Sequence, residues 1–200
     1  MLFNRFYKGL QIPIFSNIIK EMMSYIGGHI VNKTIVIYSS KTGFTRKYAK
    51  WICEALDADI LEYNDRERVN YAHYDTVIFG GGMYAGKINN IKWFREKLPH
   101  LEDKKCVLYV TGAMSKKSPD VLKNIKNNFK PGEWGKFKCF YMQGGLDYDH
   151  MDEMDRMMLK AFRYMLKLSK KDERTANMIA KSFDFTSKKD IQPLVDYCMN

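Results

Sequence analysis

The sequence has little of what defines extracellular, membrane-spanning or metal-binding proteins. Its four cysteines lie far apart without a Cys-x-x-Cys pair, which argues against a disulfide framework. No stretch approaches the roughly 18 to 20 uninterrupted apolar residues that span a bilayer. His73, His100 and His150 are isolated and lack the spacing of metal ligands. A secretory segment with a cleavage site is also missing. We therefore expect a cytoplasmic protein with no metal site.

The net charge is strongly positive. The 200 residues include 33 Lys and Arg against 23 Asp and Glu, a formal charge of +10. Such a balance attracts nucleic acid, an anionic membrane surface or a small anionic substrate. The basic residues are scattered and form no arm with interleaved aromatics, which argues against nucleic acid. The 46% hydrophobic and 28% charged residues are typical of a globular domain.

From residue 33 onward, short apolar runs alternate with helical periodicity. Strands are predicted at 34–38, 59–62, 76–79, 106–110 and 137–142. The intervening segments repeat apolar residues at helical spacing, and residues 170–200 form a basic, helical tail. Strands that alternate with helices predict a parallel sheet covered on both faces. We expect an α/β fold with a doubly wound five-stranded parallel sheet in the order 2-1-3-4-5.

Residues 1–32 stand outside this alternation and form a separate N-terminal extension. An apolar helical stripe from Phe15 to Ile26 is accompanied by basic residues. The stripe fits a membrane-surface helix, or a segment that packs on the domain or is disordered. A third hypothesis is that translation begins at Val31, where a GTG start codon read through would give Val, and that residues 1–30 are not part of the native protein.

The loop after the first strand is rich in hydroxyl groups. Residues 39–45 offer four hydroxyls, Gly43 and the free amides of a helix start. Converging N–H and O–H donors at a helix N-terminus favour a phosphate, and the alternative is a simple Thr-capped turn. A dinucleotide fingerprint needs three glycines here, and only Gly43 is present. The spacing G-x-x-x-x-G-K at 81–87 is followed by Ile88, which cannot bind Mg²⁺, so we treat it as coincidence.

Three further strand ends carry glycine. The segment 80–87 surrounds Tyr84 with glycines, and residues 111–114 and 143–146 add backbone that a ligand can approach closely. Tyr84 is suited to stack on a flat ring. Since parallel strands place these loops at one edge of the sheet, the sequence predicts a planar cofactor with a phosphate tail.

These motifs resemble a known family. The pattern Ser40-x-Thr42-Gly43-x-Thr45 is similar to the FMN phosphate loop of flavodoxins, as is the order of elements over residues 33–168. The closer resemblance is to the menaquinone-dependent protoporphyrinogen oxidase branch of flavodoxin-like proteins. The segment 144–148 (Gly-Gly-Leu-Asp-Tyr) and the Met-rich helix after it look like that branch. The segment 82–86 matches only in part, because it lacks the branch's arginine.

The resemblance implies FMN as the cofactor and assigns residues to its parts. The phosphate would be held by Ser40, Lys41, Thr42, Gly43, Phe44 and Thr45. The isoalloxazine ring would be flanked by Gly82, Met83, Tyr84 and Gly86 and lined on its far side by Thr111, Gly112 and Ala113. The redox chemistry would belong to the flavin, and no side chain is a persuasive acid–base catalyst.

Three functions follow as hypotheses. The first is an FMN-dependent oxidoreductase, which would pass electrons from a substrate such as protoporphyrinogen to a quinone or another acceptor. The alternative is an electron carrier between protein partners, and the third is an interaction module without flavin. Carrier flavodoxins are typically acidic, so the charge of +10 favours the enzyme and an anionic substrate. A further hypothesis is that this positive charge brings the protein into peripheral contact with the inner face of the membrane.

Two features of the segment 147–166 have simpler interpretations. The acidic residues from Asp147 to Asp155 suit a helix start, where the helix dipole favours them, better than a cation site. The methionine stripe that follows predicts core packing on the sheet rather than a quinone or membrane face.

Overall fold

The computed structural model describes residues 33–169 and 173–200, so the expectations for residues 1–32 lie outside the described residues. Strands and helices alternate through most of the described chain. The strands are β1 (Thr34–Ser39), β2 (Asp59–Glu62), β3 (Thr76–Tyr84), β4 (Lys87–Ile88), β5 (Lys105–Gly112), β6 (Lys138–Gln143), β7 (Gly145–Leu146) and β8 (Phe183–Asp184). The α-helices are α1 (Phe44–Leu56), α2 (Ile91–Lys97), α3 (Asp120–Lys126), α4 (Glu153–Ser169), α5 (Glu173–Met178) and α6 (Gln192–Met199).

The main sheet has the strand order β2-β1-β3-β5-β6, and these five strands pair in parallel. The two-residue strand β4 pairs antiparallel with the end of β3. Counted without β4, the order is 2-1-3-4-5, which confirms the predicted flavodoxin-like sheet. All four crossovers therefore bring the chain back to the same edge, and the carboxyl ends of the strands lie together.

Two hydrophobic layers cover the sheet, because alternate residues of each strand point to opposite faces. On one face, strand residues pack with α2 and α3, and the layer includes Ile37, Phe79, Leu108, Phe94 and Ile125. On the other face, strand residues pack with α1 and α6, and the layer includes Val36, Ile78, Val107, Tyr48 and Leu194. The central strands β1, β3 and β5 are thus buried on both faces, as their apolar runs predicted.

Strand β3 is longer than the sequence predicted. The apolar run ends at Phe79, but the strand continues through the glycines to Tyr84 and pairs with β5 as far as Gly82 opposite Thr111. The predicted glycine-rich loop is therefore mostly strand, with a turn only at Ala85 and Gly86. Ile88 belongs to β4, and α2 begins three residues later, at Ile91.

The methionine-rich helix α4 does not pack on the sheet, so the prediction that its stripe belongs to the core was wrong. Met154, Met157 and Met165 are each more than 60% exposed. The face of the sheet beside α1 is covered by α6, which buries Leu194 and Val195. Helix α4 contacts α5 instead, where Arg163 donates to the carbonyl of Ala176 at 3.1 Å. Among the described helices, none is both long and apolar enough to cross a membrane.

Candidate functional site

The loop between β1 and α1 lies at the carboxyl edge of the sheet and has the geometry of an anion-binding turn. Gly43 adopts a left-handed conformation with φ of +89°, which favours glycine. Its backbone N–H donates to the Ser40 hydroxyl at 3.1 Å, and its carbonyl accepts the first bond of α1, from Lys47. The first amides of a helix have no partner within the helix, so they remain available to a ligand at this turn.

The second predicted segment contacts this loop directly. The hydroxyls of Thr42 and Tyr84 lie 3.1 Å apart, and both side chains are half-buried. Burial raises the pKa of Tyr84, which keeps its hydroxyl protonated and able to donate. The ammonium group of Lys41 lies 5.1 Å from the centre of the Tyr84 ring. The predicted phosphate loop and the predicted ring-stacking aromatic therefore form one cluster.

Thr45 faces the interior of the edge rather than the loop. Its Oγ1 lies 2.8 Å from Oγ1 of Thr111 at the end of β5, and both side chains are buried. Gly82 of β3 lies beside both, because a Cβ added to it would stand 3.2 Å from the Thr45 hydroxyl and 3.7 Å from that of Thr111. The ends of β3 and β5 thus meet the start of α1, and three predicted segments come together. In this position the Thr45 hydroxyl links the start of α1 to the end of β5.

The remaining predicted residues lie at the same edge. A Cβ added to Gly112 would stand 3.7 Å from Cε of Met83, and the carbonyl of Gly112 accepts from the N–H of Gly144 at 2.8 Å. Gly86 has φ of +78° in the turn between β3 and β4, and Ala113 follows Gly112 half-buried. Phe44 contacts Gly144, whose added Cβ would lie 3.3 Å from Cβ of Phe44. All four glycine-bearing strand ends are therefore adjacent.

Two asparagines of the site were missed from the sequence. The Asn89 side-chain nitrogen is buried without a hydrogen-bond partner among the described residues and lies 3.6 Å from a Cβ added to Gly82. Asn90 donates to the Ser39 hydroxyl at 2.8 Å. A buried amide donor without an acceptor is costly, which marks Asn89 as a group that a ligand can satisfy. The sequence carries no signal for it, since Asn before a helix is common.

The acidic start of α4 makes ion pairs with the loop. Nζ of Lys41 lies 2.7 Å from Asp155 and 3.3 Å from Asp152. The hydrogen bond to Asp155 is the main reason that the pKa of Lys41 is raised. The pKa of Asp152 is lowered, chiefly because it accepts the backbone N–H of Asp155, as a helix-capping carboxylate does. Within residues 33–169 and 173–200, no group of three or more His, Cys, Asp or Glu side chains could hold a metal ion.

The donors at this edge fit FMN. The turn at Gly43 suits a phosphate, because N–H and O–H groups lie close together there and Lys41, which pairs with Asp152 and Asp155, belongs to the same loop. A planar ring with carbonyl and nitrogen acceptors suits the other part of the site. The glycines of β3 and β5 let the ring approach the backbone closely beside Tyr84, and the side-chain amide of Asn89 can donate to its edge.

Comparison with known proteins places this geometry in a family. The family model described as "Flavodoxin domain" matches residues 35–174. An uncharacterised protein of Methanocaldococcus jannaschii is 28% identical, over 65% of this chain and 95% of that protein.

Two solved structures have similar folds. A flavoprotein in complex with FMN from Lactobacillus acidophilus is 14% identical, covers 56% of this chain and 92% of its own, and has a TM-score of 0.38. The two-electron reduced flavodoxin of Megasphaera elsdenii is 18% identical, with coverage of 54% and 82% and a TM-score of 0.39. Because these scores are low, the assignment depends on the family model, which spans most of the chain and supports FMN as the cofactor. The chain belongs to the flavodoxin-domain family.

Proposed function

We propose that this protein binds FMN at the carboxyl edge of its sheet and acts as an FMN-dependent oxidoreductase. The observation that carries the proposal is the convergence of three segments at one point. The turn at Gly43, the aromatic Tyr84 and the end of β5 at Thr111 are joined by two hydroxyl–hydroxyl contacts of 3.1 and 2.8 Å. The segments are far apart in the sequence, and together they offer both parts of FMN a set of donors.

Each segment has a distinct role in this proposal. The phosphate is held by Ser40, Lys41, Thr42, Gly43, Phe44 and Thr45, the last of these through its backbone amide because its hydroxyl is buried against Thr111. The ring is flanked by Gly82, Met83, Tyr84 and Gly86 and lined by Thr111, Gly112 and Ala113. FMN supplies the redox chemistry when bound. Because Thr42 contacts Tyr84, the phosphate and ring portions of the site are coupled.

The chain's own residues bind and orient rather than transfer protons. The thirteen residues assigned to the cofactor include no carboxylate or imidazole. The two that titrate are Lys41 and Tyr84, and both pKa values are raised. At neutral pH, Lys41 therefore stays a cation and Tyr84 a neutral donor. The site presents fixed donors to an anionic cofactor, and its one cation, Lys41, is paired with Asp152 and Asp155.

The net charge of +10 favours a small anionic substrate or an anionic surface. It does not favour the way in which acidic carrier flavodoxins dock onto basic patches of their partner proteins. The second candidate is an electron carrier between protein partners, and membership of the flavodoxin-domain family is equally compatible with it. Protoporphyrinogen as the substrate and a quinone as the acceptor stay predictions of the sequence resemblance. The arginine expected in segment 82–86 is missing, and the match of segment 144–148 is the feature that supports this substrate.

The test loads the full chain with FMN, reduces it anaerobically and follows reoxidation by visible absorption. We expect a menaquinone analogue to reoxidise the flavin, and an anionic porphyrinogen to reduce the oxidised protein at a rate that falls with ionic strength. Turnover with these small molecules alone supports the enzyme. Electron exchange only with a protein partner supports the carrier, and a chain that ignores added FMN contradicts both.

A further inference from the structure

Six large apolar side chains of α4 are exposed along one side of the helix. We call this side the methionine face, and its members are 45 to 68% exposed: Met154, Met157, Met158, Phe162, Met165 and Leu168. Their spacings of three and four residues place them in one stripe about 21 Å long. Single exposed apolar residues are ordinary, but a contiguous patch of this kind marks a surface that binds something.

The orientation of the methionine face is fixed by contacts on the other side of α4. Arg156 donates to the carbonyl of Tyr148 at 2.7 Å, and Arg163 donates to that of Ala176 at 3.1 Å. At the start of the helix, Asp155 pairs with Lys41 at 2.7 Å. The helix is therefore held at three levels, and the apolar stripe points away from the described domain.

The charges beside the methionine face select its partner. Helix α4 carries four basic residues and two acidic ones, and Asp155 is already paired with Lys41. Lys160 and Lys167 lie two turns apart on one flank of the stripe and are exposed, with Tyr164 between them, 65% exposed. Exposed methionines, leucine and aromatics flanked by lysines are the composition of a helix that lies on an anionic bilayer.

A second copy of the chain fits this face less well. Two methionine faces in contact would bring two sets of Lys160 and Lys167 close together, and each chain has a net charge of +10. Anionic headgroups instead attract and neutralise these lysines.

We propose that α4 is a membrane-binding helix. Its methionine face lies at the boundary between headgroups and acyl chains of an anionic bilayer, and Lys160 and Lys167 contact lipid phosphates. The binding is peripheral, and it is independent of flavin. It also gives the expected membrane contact a place in the fold.

The test uses the full chain and vesicle flotation. The vesicles are pure phosphatidylcholine, or a mixture of phosphatidylcholine and phosphatidylglycerol at about 70 to 30. We expect binding to the mixed vesicles, weakened by high salt, and little to the neutral ones. Residues 1–32 carry another apolar stripe, which could also bind vesicles. Binding by the wild-type chain therefore does not assign the contact to α4, and the effect of substitutions in α4 does.

The variant Met154→Gln/Met165→Gln should reduce the partition coefficient for binding to the mixed vesicles at least fivefold. Its matched control is Leu122→Gln/Met199→Gln, which removes two side chains of similar exposure, 51% and 66%, on other helices and should leave binding unchanged. Lys160→Gln/Lys167→Gln should reduce binding to the mixed vesicles alone. Circular dichroism checks that each variant is folded, which is expected because the replaced side chains are exposed.

Three results would overturn the proposal. One is the absence of binding to anionic vesicles by the wild-type chain. Another is an equal loss in the α4 variant and its control, which would place the membrane contact elsewhere. The third is a dimer in lipid-free solution that Met154→Gln/Met165→Gln dissociates, because a second copy would then occupy the methionine face. Light scattering coupled to gel filtration measures this last point.

Discussion

At the scale of single residues, two threonines of one loop have different surroundings. The Thr42 hydroxyl is half-buried and contacts the tip of Tyr84, whereas Thr45 is buried and contacts Thr111. The sequence predicts both as phosphate contacts, and both stay predictions. Their surroundings imply that Thr42 is the better probe of binding, since removing its hydroxyl leaves the interior of the edge intact.

Replacing Thr42 with Val should weaken FMN binding about 10- to 100-fold, because a hydrogen bond to a charged group contributes roughly 1.5 to 3 kcal/mol. The measurement is a titration of flavin fluorescence. Thr42→Ser keeps the hydroxyl and is the matched control, with an affinity close to that of the wild type. Equal affinities of the Val and Ser variants would exclude a role for this hydroxyl.

At the scale of residues, the sequence supports a prediction where the signal is local and none where it is not. The hydroxyl-rich turn at 40–45 was visible because its residues are consecutive. The pairing of Lys41 with Asp155 joins positions 114 residues apart, and no pattern in the sequence predicts it. The same holds for Asn89, whose unpaired amide depends on the packing of β4 against β3.

At the scale of elements, β3 shows why a glycine run can be strand rather than loop. Gly80 lies opposite Tyr109 in the parallel pair of β3 and β5. A Cβ on Gly80 would stand 2.0 Å from Cζ of Tyr109, a fully buried side chain whose hydroxyl donates to the carbonyl of Thr45. The glycine therefore makes room for a tyrosine that reaches the site. Propensity predicts a loop here, and packing overrides it.

Gly80→Ala should lower the free energy of unfolding by about 3 kcal/mol, because overpacking a rigid core forces side chains and backbone to shift. Urea denaturation measures the loss. Gly135→Ala is the control: it has no neighbour within 4 Å of the added Cβ but a φ of +107°, so it tests backbone strain alone, at about 1 kcal/mol. Similar losses in the two variants would contradict the close contact with Tyr109.

An ion pair joins α2 to the loop before β6, and the contribution of this pair to the stability of the fold should depend on pH. Glu133 accepts from Arg95 at 2.7 and 3.0 Å and from the N–H of Lys130 at 2.6 Å. The bond from Arg95 is the main reason that the pKa of Glu133 lies below its ordinary 4.5. A lowered pKa in the folded state means that the carboxylate stabilises the fold above pH 4.5 and loses this effect as the pH falls through the folded pKa.

Glu133→Gln should therefore destabilise the protein by about 1 kcal/mol at pH 7, and the difference from the wild type should shrink toward pH 3. Chemical denaturation at several pH values measures it. Glu54→Gln, which removes the exposed partner of Lys188, should cost less than about 0.5 kcal/mol at neutral pH. A difference for Glu133→Gln that grows on acidification would have the wrong sign.

At the scale of the whole molecule, the alternation of apolar runs and helical segments was enough to predict the sheet order. It could not predict which helix covers which surface. The stripe of α4 has the same period whether it faces a core or a membrane, and the eight residues of α6 that cover the sheet instead carry a weaker pattern. Through Lys41 and Asp155, α4 also begins at the proposed phosphate loop, so the proposed membrane-binding helix and the proposed cofactor site are neighbours in the fold.

The most direct test of the central claim compares two flavins that differ only in the phosphate. Apoprotein is titrated with FMN and with riboflavin, and the quenching of flavin fluorescence gives both affinities. The account predicts that FMN binds at least about 100-fold more tightly, since several charge-assisted hydrogen bonds contribute only when the phosphate is present. Equal affinities for FMN and riboflavin, or no binding of either, would contradict a phosphate site at residues 40–45.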